Sequence, residues 1–449
     1  MTRSLRLLAV LVPAALAGCI TDPVTGNKVL GMPTSKAEEQ QMGLSYRPFI
    51  VQQFSGAYPD AEMQSYLASI VLGMAHHSVR PKLDWTFTLL NSSDPNAFAV
   101  PGGQVFMTRG LLWRLDDEAE FAVVMGHEIG HVEHRHTVQS MGRDTLVGGL
   151  GQALGEAIGA PEIGGAAAGL LVLRFSRDQE RESDERGVHN AYTAGYDPRQ
   201  GSDVFRKFLQ IKQEAGGGES ALDSWTSSHP LDTERIETIR QLSIDIDPRL
   251  AGGAPVPGLR VQTGRFAELI AKLRGEQKVY DRHDAAMAKI TQAQGSKESI
   301  REAIPAFDAC ARSLPQHAYF ANTLGKAYGA LGNAGQARSW MERAASLDPE
   351  LFEPQHVLGI LALERKDWQG AASHADRGLA LLPDNYMSRW VRGEAMWNLG
   401  RRDEARAEFE AVVKEAPADS HEAKDASQRL GLTAEAPAAK PAARPAKRR

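Results

Sequence analysis

The sequence predicts a mostly helical α+β fold, in which a domain carrying a small β-hairpin or sheet is followed by an α-solenoid of paired helices. Three observations carry this reading. Between Trp85 and Leu90 lies a run rich in β-branched and aromatic residues, followed by Phe98-Ala99-Val100, a Pro101-Gly102-Gly103 turn and Gln104 to Met107, the pattern of a hairpin. Leu115, Ala119, Ala122, Val123, Gly126 and Gly130 recur at helical spacing, predicting a long amphipathic helix over about Asp116 to His136. In the C-terminal half Pro315, Pro349, Pro383 and Pro417 are spaced by 34 residues, and so are Gly325, Gly359 and Gly393.

At 449 residues the chain is longer than one hydrophobic core usually organises, so several domains are expected. A net charge of -5 leaves no electrostatic footprint for nucleic acid. Residues 1–18 read as a signal peptide: Arg3 and Arg6 precede an apolar run from Leu7 to Leu16, too short for a bilayer core of ~30 Å. The run ends Leu16-Ala17-Gly18-Cys19, which resembles a bacterial lipobox. That resemblance implies lipidation at Cys19, a membrane anchor and a periplasmic location, with Ile20 favouring the outer membrane of a Gram-negative cell. Residues 19–34, rich in Pro, Gly and polar side chains, are then a lipidated tether.

A folded domain is expected over 35–246, opening at Ser35, an N-cap type residue with Glu38 three positions on. Within it, residues 145–172 are biased to Gly, Ala and Leu with Pro161 as a breaker, which predicts short helices or a mobile lid. A later helix should span Asp178 to Ala194 and stop at Gly195. Pro and Gly density marks 247–263 as a linker. Over 264–432 the 34-residue period is the signature of tetratricopeptide (TPR) helix pairs, with Ala337, Ala371 and Ala405 where the helices of a pair touch. Residues 276–314 form a degenerate leading repeat in which Cys310 is a small core residue. With only one other cysteine, no disulfide framework is expected. The basic tail 433–449 is low-complexity and predicted to be disordered.

Chemistry concentrates in His127-Glu128-Ile129-Gly130-His131. Imidazoles at i and i+4 project from one helical face and suit two ligands of one tetrahedral Zn²⁺. Glu128 stands beside them, free to take a proton from a water that the metal acidifies, so that hydroxide can attack a peptide carbonyl. A metzincin would place glycine and histidine three and six positions after the second ligand. His134 and Thr137 stand there, which excludes that class. A third ligand is available in the segment Ser176 to Asp184: Glu180 and Asp184 are i and i+4, so one can ligate while the other orients a ligand histidine. Glu182 projects from a different face.

Together, the hairpin Asn96 to Met107, the H-E-I-G-H-V-E-H-R-H run His127 to His136, the acidic segment and Ala194 to Pro198 resemble the gluzincin family of CAAX prenyl protease and HtpX. With trailing TPR repeats the chain is most similar to the family's BepA-type periplasmic zinc metalloproteases. The resemblance implies a gluzincin-type metalloprotease domain with one Zn²⁺ per subunit, held by His127, His131 and Glu180, with Glu128 as the base and Asp184 supporting a ligand. It also implies that His229, in Ser227-Ser228-His229-Pro230, caps the zinc as a reversible fourth ligand, while either His229 or Arg235 is available as an oxyanion donor. Two departures stand out: Ser183 replaces a common alanine, and BepA-type proteins are not typically lipid-anchored. The implied activity is endopeptidase cleavage of unfolded or stalled envelope and outer-membrane proteins. An edge strand would hold the substrate, and the TPR surface would dock substrate or the outer-membrane assembly machinery. The competing reading is a TPR chaperone or assembly scaffold with a latent, capped zinc site.

Overall fold

A computed structural model describes residues 18–147, 174–214, 222–230, 233–383 and 385–432. Residues 1–17 of the signal peptide expected over 1–18, most of the Gly/Ala-rich segment expected to form short helices or a lid, and the basic tail lie outside the described residues. Backbone contacts divide the chain into two compact units, Met1–Pro354 and Gln355–Arg449. Among the described residues no helix is long and apolar enough to cross a membrane.

The first unit opens with strands β1 (Gly18–Thr21) and β2 (Lys28–Gly31), paired antiparallel with Cys19 opposite Leu30. This stretch, read from composition as a tether, is therefore a folded hairpin. Asp22 organises its turn by accepting from the Val24 N–H at 2.8 Å and the Thr25 hydroxyl at 2.9 Å. Cys19 is exposed on β1. Helix α1 (Lys36–Gln53) starts at Ser35 with both bonds of a capping box to Glu38, as the sequence indicates.

After α2 (Ala61–His76), strands β3 (Thr86–Leu90), β4 (Ala97–Val100) and β5 (Gln104–Thr108) form a sheet in the order β3-β5-β4. The β4–β5 pair is the predicted hairpin, antiparallel with Val100 opposite Gln104; β3 runs parallel to β5. Its turn needs glycine, since Gly102 has φ 84° and a Cβ there would meet Glu39 O at 2.6 Å.

A short helix α3 (Arg109–Leu112) leads to α4 (Glu118–Glu133), which is buried along its whole length. The amphipathic reading is corrected here: the polar positions of α4 are buried too, and apart from Glu128 its carboxylates are paired. Glu120 meets Lys207, Glu133 meets Arg186, and Glu118 accepts from Tyr66 and Tyr196. The predicted run to His136 is also two helices. His134 caps α4, Arg135 adopts a left-handed φ of 62°, and α5 (His136–Val147) starts afresh. Arg135 is held in that conformation by bonds to Thr34 O and Thr34 Oγ1 and by an ion pair with Glu39.

Helix α6 (Arg177–Thr193), capped by Ser176 and Gln179, packs along α4. Small residues permit the approach: a Cβ on Gly126 would meet Gly187 O at 2.9 Å, and one on Gly130 would meet Ser183 Cα at 3.2 Å. Behind them lie α7 (Gln200–Glu214), α8 (Asp223–Ser228) and α9 (Thr233–Ile246). The Pro/Gly-rich segment after α9 is pinned to the domain, with Val261 O accepting from Ala119 N–H at the start of α4 and Arg260 O from Asp197 N–H.

Helices α10 (Gly264–Gln292), α11 (Lys297–Ser313), α12 (Ala318–Ala330) and α13 (Ala334–Leu347) share the first unit's hydrophobic core. The buried Arg109 lies 3.3 Å from the ring centre of Tyr280 on α10. Cys310 is fully buried, as its repeat register requires. Onward run α14 (Phe352–Glu364), α15 (Trp368–Leu381), α16 (Tyr386–Asn398), α17 (Arg402–Glu415) and α18 (His421–Leu430). The starts of α12, α14 and α16, and those of α13, α15 and α17, each advance by 34 residues. Within the second unit Ala371 and Ala405 are fully buried, and a Cβ on Gly393 would meet Phe409 at 2.7 Å.

The α4–α6 contact yields a stability prediction. The nearest atoms that Gly126→Ala would push against are the Gly187 backbone, and overpacking of this kind costs about 1–3 kcal/mol in denaturant unfolding. Gly73→Ala in α2, with nothing within 4 Å of the added methyl, should be neutral or stabilising in the same measurement.

Candidate metal centre

One turn of α4 sets His127 and His131 on the same face, their Nε2 atoms 3.0 Å apart. From α6, Glu180 brings Oε2 to 3.6 Å from His127 Nε2 and Oε1 to 3.5 Å from His131 Nε2. The residue that caps the C-terminus of α8 is His229, whose Nδ1 lies 3.4 Å from His127 Nε2 and 3.1 Å from Glu180 Oε1. Its ring is stacked on Trp225 at 5.3 Å, and its N–H donates to Trp225 O. One donor atom from each of the four residues lies within 4.8 Å of the others, and all four side chains are buried.

Around these atoms the supporting charges are specific. Asp184, one turn beyond Glu180, places Oδ1 2.9 Å from His127 Nδ1, so that nitrogen carries the proton and Nε2 keeps its lone pair for the centre. Arg235 on α9 donates Nε and Nη2 to the two oxygens of Asp184 at 2.8 and 2.7 Å. Its Nη1 donates to Pro230 O and lies 2.7 Å from Glu180 Oε2. In this conformation Arg235 spans the two carboxylates of α6, and its charge faces them.

Charge state follows from these contacts. Burial holds the His131 imidazole well below its ordinary pKa. Burial alone would raise the Glu180 carboxyl, but the charges of His229 and Arg235 outweigh it and keep that group well below the usual carboxylate range. Asp184 is lowered in the same way, burial being outweighed by Arg235 and His127. Glu128 moves in the opposite direction, raised by burial against a partial offset from His229 and His127. Environment thus separates an ionised carboxylate at the donor cluster from one poised to exchange a proton.

These residues fit a divalent ion. Two imidazole nitrogens and a carboxylate converge in a water-poor pocket, the donor set of a Zn²⁺ site, and their lone pairs crowd one point that only a cation neutralises well. Among the described residues Glu128 Oε1 is buried without a hydrogen-bond partner, and His229 Nε2 lies 3.7 Å from it. Every site residue named from the sequence is therefore brought together, apart from Cys19, which stands on the N-terminal hairpin. Sequence reasoning missed Phe175, whose ring stacks on His131 at 4.0 Å, and the residues behind His131. Only the V-E-H-R-H continuation of the motif hinted at the latter.

Comparison with known proteins accords with this geometry. Residues 61–243 match the profile of Peptidase family M48. This segment is an M48 peptidase domain. Residues 318–351 and 356–420 match tetratricopeptide repeats, so the M48 domain is followed by TPR helices. The chain is 30% identical over 253 residues to the beta-barrel assembly-enhancing protease of Escherichia coli (strain K12), covering 53% of this chain and 50% of that protein. To the mitochondrial metalloendopeptidase OMA1 of Arabidopsis thaliana it is 30% identical over 162 residues, covering 36% of this chain and 32% of the relative. It therefore spans half the length of the first relative and about a third of the second.

Elemental analysis of the purified full chain should find about one zinc per molecule. Glu180→Ala should lose it while its far-ultraviolet circular dichroism stays that of the wild type.

Proposed function

We propose that the chain is a zinc-dependent endopeptidase of the bacterial cell envelope, lipid-anchored through Cys19 and acting on unfolded or stalled envelope and outer-membrane proteins. The observation that carries the peptidase reading is the convergence of His127, His131 and Glu180 beside a buried Glu128 that ligates nothing. The envelope reading draws support from the lipobox-like Leu16 to Cys19 and from likeness to a protease named for β-barrel assembly.

When bound, Zn²⁺ supplies Lewis acidity to a peptide carbonyl and to water. Glu128 accepts the proton of the attacking water, and its raised pKa lets the same carboxyl return that proton to the departing amine. Asp184 fixes the tautomer of His127, and Arg235 keeps both α6 carboxylates ionised and in place. Strand β4 is at the edge of the sheet among the described residues and packs against α4, and pairing of an extended chain with that edge would bind it with little sequence preference. The TPR helices offer a further surface for substrate or for the outer-membrane assembly machinery.

His229 makes this conformation a closed one. Its Nδ1 sits among the donor atoms and its Nε2 faces Glu128, so it fills the space that a substrate carbonyl needs. That placement favours a latent centre opened by displacement of His229, and it is also the observation behind the scaffold reading, in which the cap never leaves.

Two variants test both readings. Glu128→Gln should keep its zinc and lose casein cleavage by about 10²-fold or more; full cleavage by this variant would remove the peptidase reading. His229→Ala should cleave casein faster than the wild type, whereas a scaffold whose zinc is purely structural would show no gain.

A further inference from the structure

The two ligand histidines are supported from behind in different ways. His127 backs directly onto Asp184. His131 has no carboxylate on its Nδ1; that atom lies 2.9 Å from Nδ1 of His136, and the other nitrogen of His136, Nε2, lies 3.0 Å from Glu182 Oε2. Ser183 Oγ is 3.3 Å from the same His136 Nδ1. We propose that His136 and Glu182 are positioning residues of the metal centre, forming a two-step hydrogen-bonded chain that fixes the tautomer and ring orientation of His131. This rests on the metal-centre reading given above.

Proton placement dictates the direction of the chain. His131 turns Nε2 toward His127 and Glu180, so that nitrogen must be bare to ligate and the proton must reside on Nδ1. Nδ1–H then donates to His136 Nδ1, which must itself be bare. The single proton of a neutral His136 is left on Nε2, where it donates to the carboxylate of Glu182. Each bond thus has one donor and one acceptor, and the Ser183 hydroxyl, at the longer 3.3 Å, lies beside the His136 Nδ1 lone pair that His131 already uses. The orientation of the chain is held by packing: the ring of His134 stacks on that of His136 at 5.1 Å and 8°, and Asp22 from the N-terminal hairpin holds His134 Nδ1 at 2.9 Å. His136 is fully buried, while the side chain of Glu182 is 44% exposed, so the chain runs from the metal ligand to solvent.

His134, His136 and Glu182 also bring donor atoms within 4.8 Å of one another, which raises the alternative of a second metal site. The proton argument opposes it. A metal on His136 Nε2 would put the proton of His136 on Nδ1, facing His131 Nδ1. His131 could then not donate there while offering a bare Nε2 to the first metal.

Zinc affinity of the full chain, measured by competition with a chromophoric chelator, tests the proposal without relying on turnover. His136→Leu should weaken zinc binding about 10–100-fold, the range for losing a partner behind a ligand. His136→Asn, whose Oδ1 can still accept from His131, should recover most of that loss although it removes the stacked ring just as leucine does. A purely structural role for the ring would move both variants equally. Should His136→Leu fold poorly, Glu182→Ala changes only the exposed end and should still weaken zinc measurably, with Glu182→Gln restoring it. Wild-type affinity in folded His136→Leu or in Glu182→Ala would overturn the inference. So would two bound zinc ions in the wild type of which His136→Leu loses one and holds the other unchanged. Loss of all zinc from Glu180→Ala marks the main centre itself, so failure of that reading and failure of this one are separable.

Discussion

How near α6 can come to α4 decides whether a metal centre exists here. The ligands are divided between the two helices, and imidazole and carboxylate side chains are short, so the backbones must nearly touch. Gly126 and Gly130 on one side and Ser183 and Gly187 on the other provide that approach, with an added Cβ on Gly126 only 2.9 Å from the facing carbonyl. Such a contact is a packing constraint and a catalytic one together, because close-packed interiors transmit a methyl-sized displacement to their neighbours. Widening the crossing would carry Glu180 away from His131 and Asp184 away from His127.

Burying these groups together creates an electrostatic problem that the surrounding residues resolve. Three imidazoles and three carboxylates share one buried volume, and an uncompensated charge there would cost several kcal/mol. Arg235 bridges Glu180 and Asp184, and His229 is raised above its ordinary pKa because the charges of Glu180 and Glu128 outweigh its burial. The same field keeps Glu180 ionised and leaves Glu128, which lacks a direct cationic bond, raised by burial. One arrangement therefore gives two glutamates opposite charge tendencies, the separation that the proposed ligand and base require.

Much of this was readable in the sequence, for identifiable reasons. Helical spacing put His127 and His131 on one face, and the i, i+4 relation of Glu180 and Asp184 gave the two supporting carboxylates. The 34-residue period located the repeat helices, since the starts of α12, α14 and α16 follow it without drift. What was not readable depends on backbone breaks and on burial. Periodicity ran α4 on to His136, yet the left-handed turn at Arg135 stops it and swings His136 behind His131. Composition made residues 19–34 a tether, although one side chain, Asp22, folds its turn and reaches His134. Ser183 enters the sequence reading only as a replacement for a common alanine, but its hydroxyl faces a nitrogen that no spacing rule would place there.

The proposed cap, His229, and the clamp Arg235 belong to one short stretch of chain, which constrains how the proposed opening could occur. His229 fills the donor cluster, the next residue, Pro230, offers its carbonyl to Arg235, and Arg235 in turn holds Glu180 and Asp184. Pulling the Pro230 backbone away would therefore strip a partner from the residue that keeps Glu180 and Asp184 ionised. Rotating the imidazole off the cluster, or tilting α8 through the Trp225–His229 stack, breaks no such bond. An opening that frees the substrate position and still leaves a competent metal centre must therefore act through the His229 side chain and α8, with Pro230 and Arg235 staying as they are.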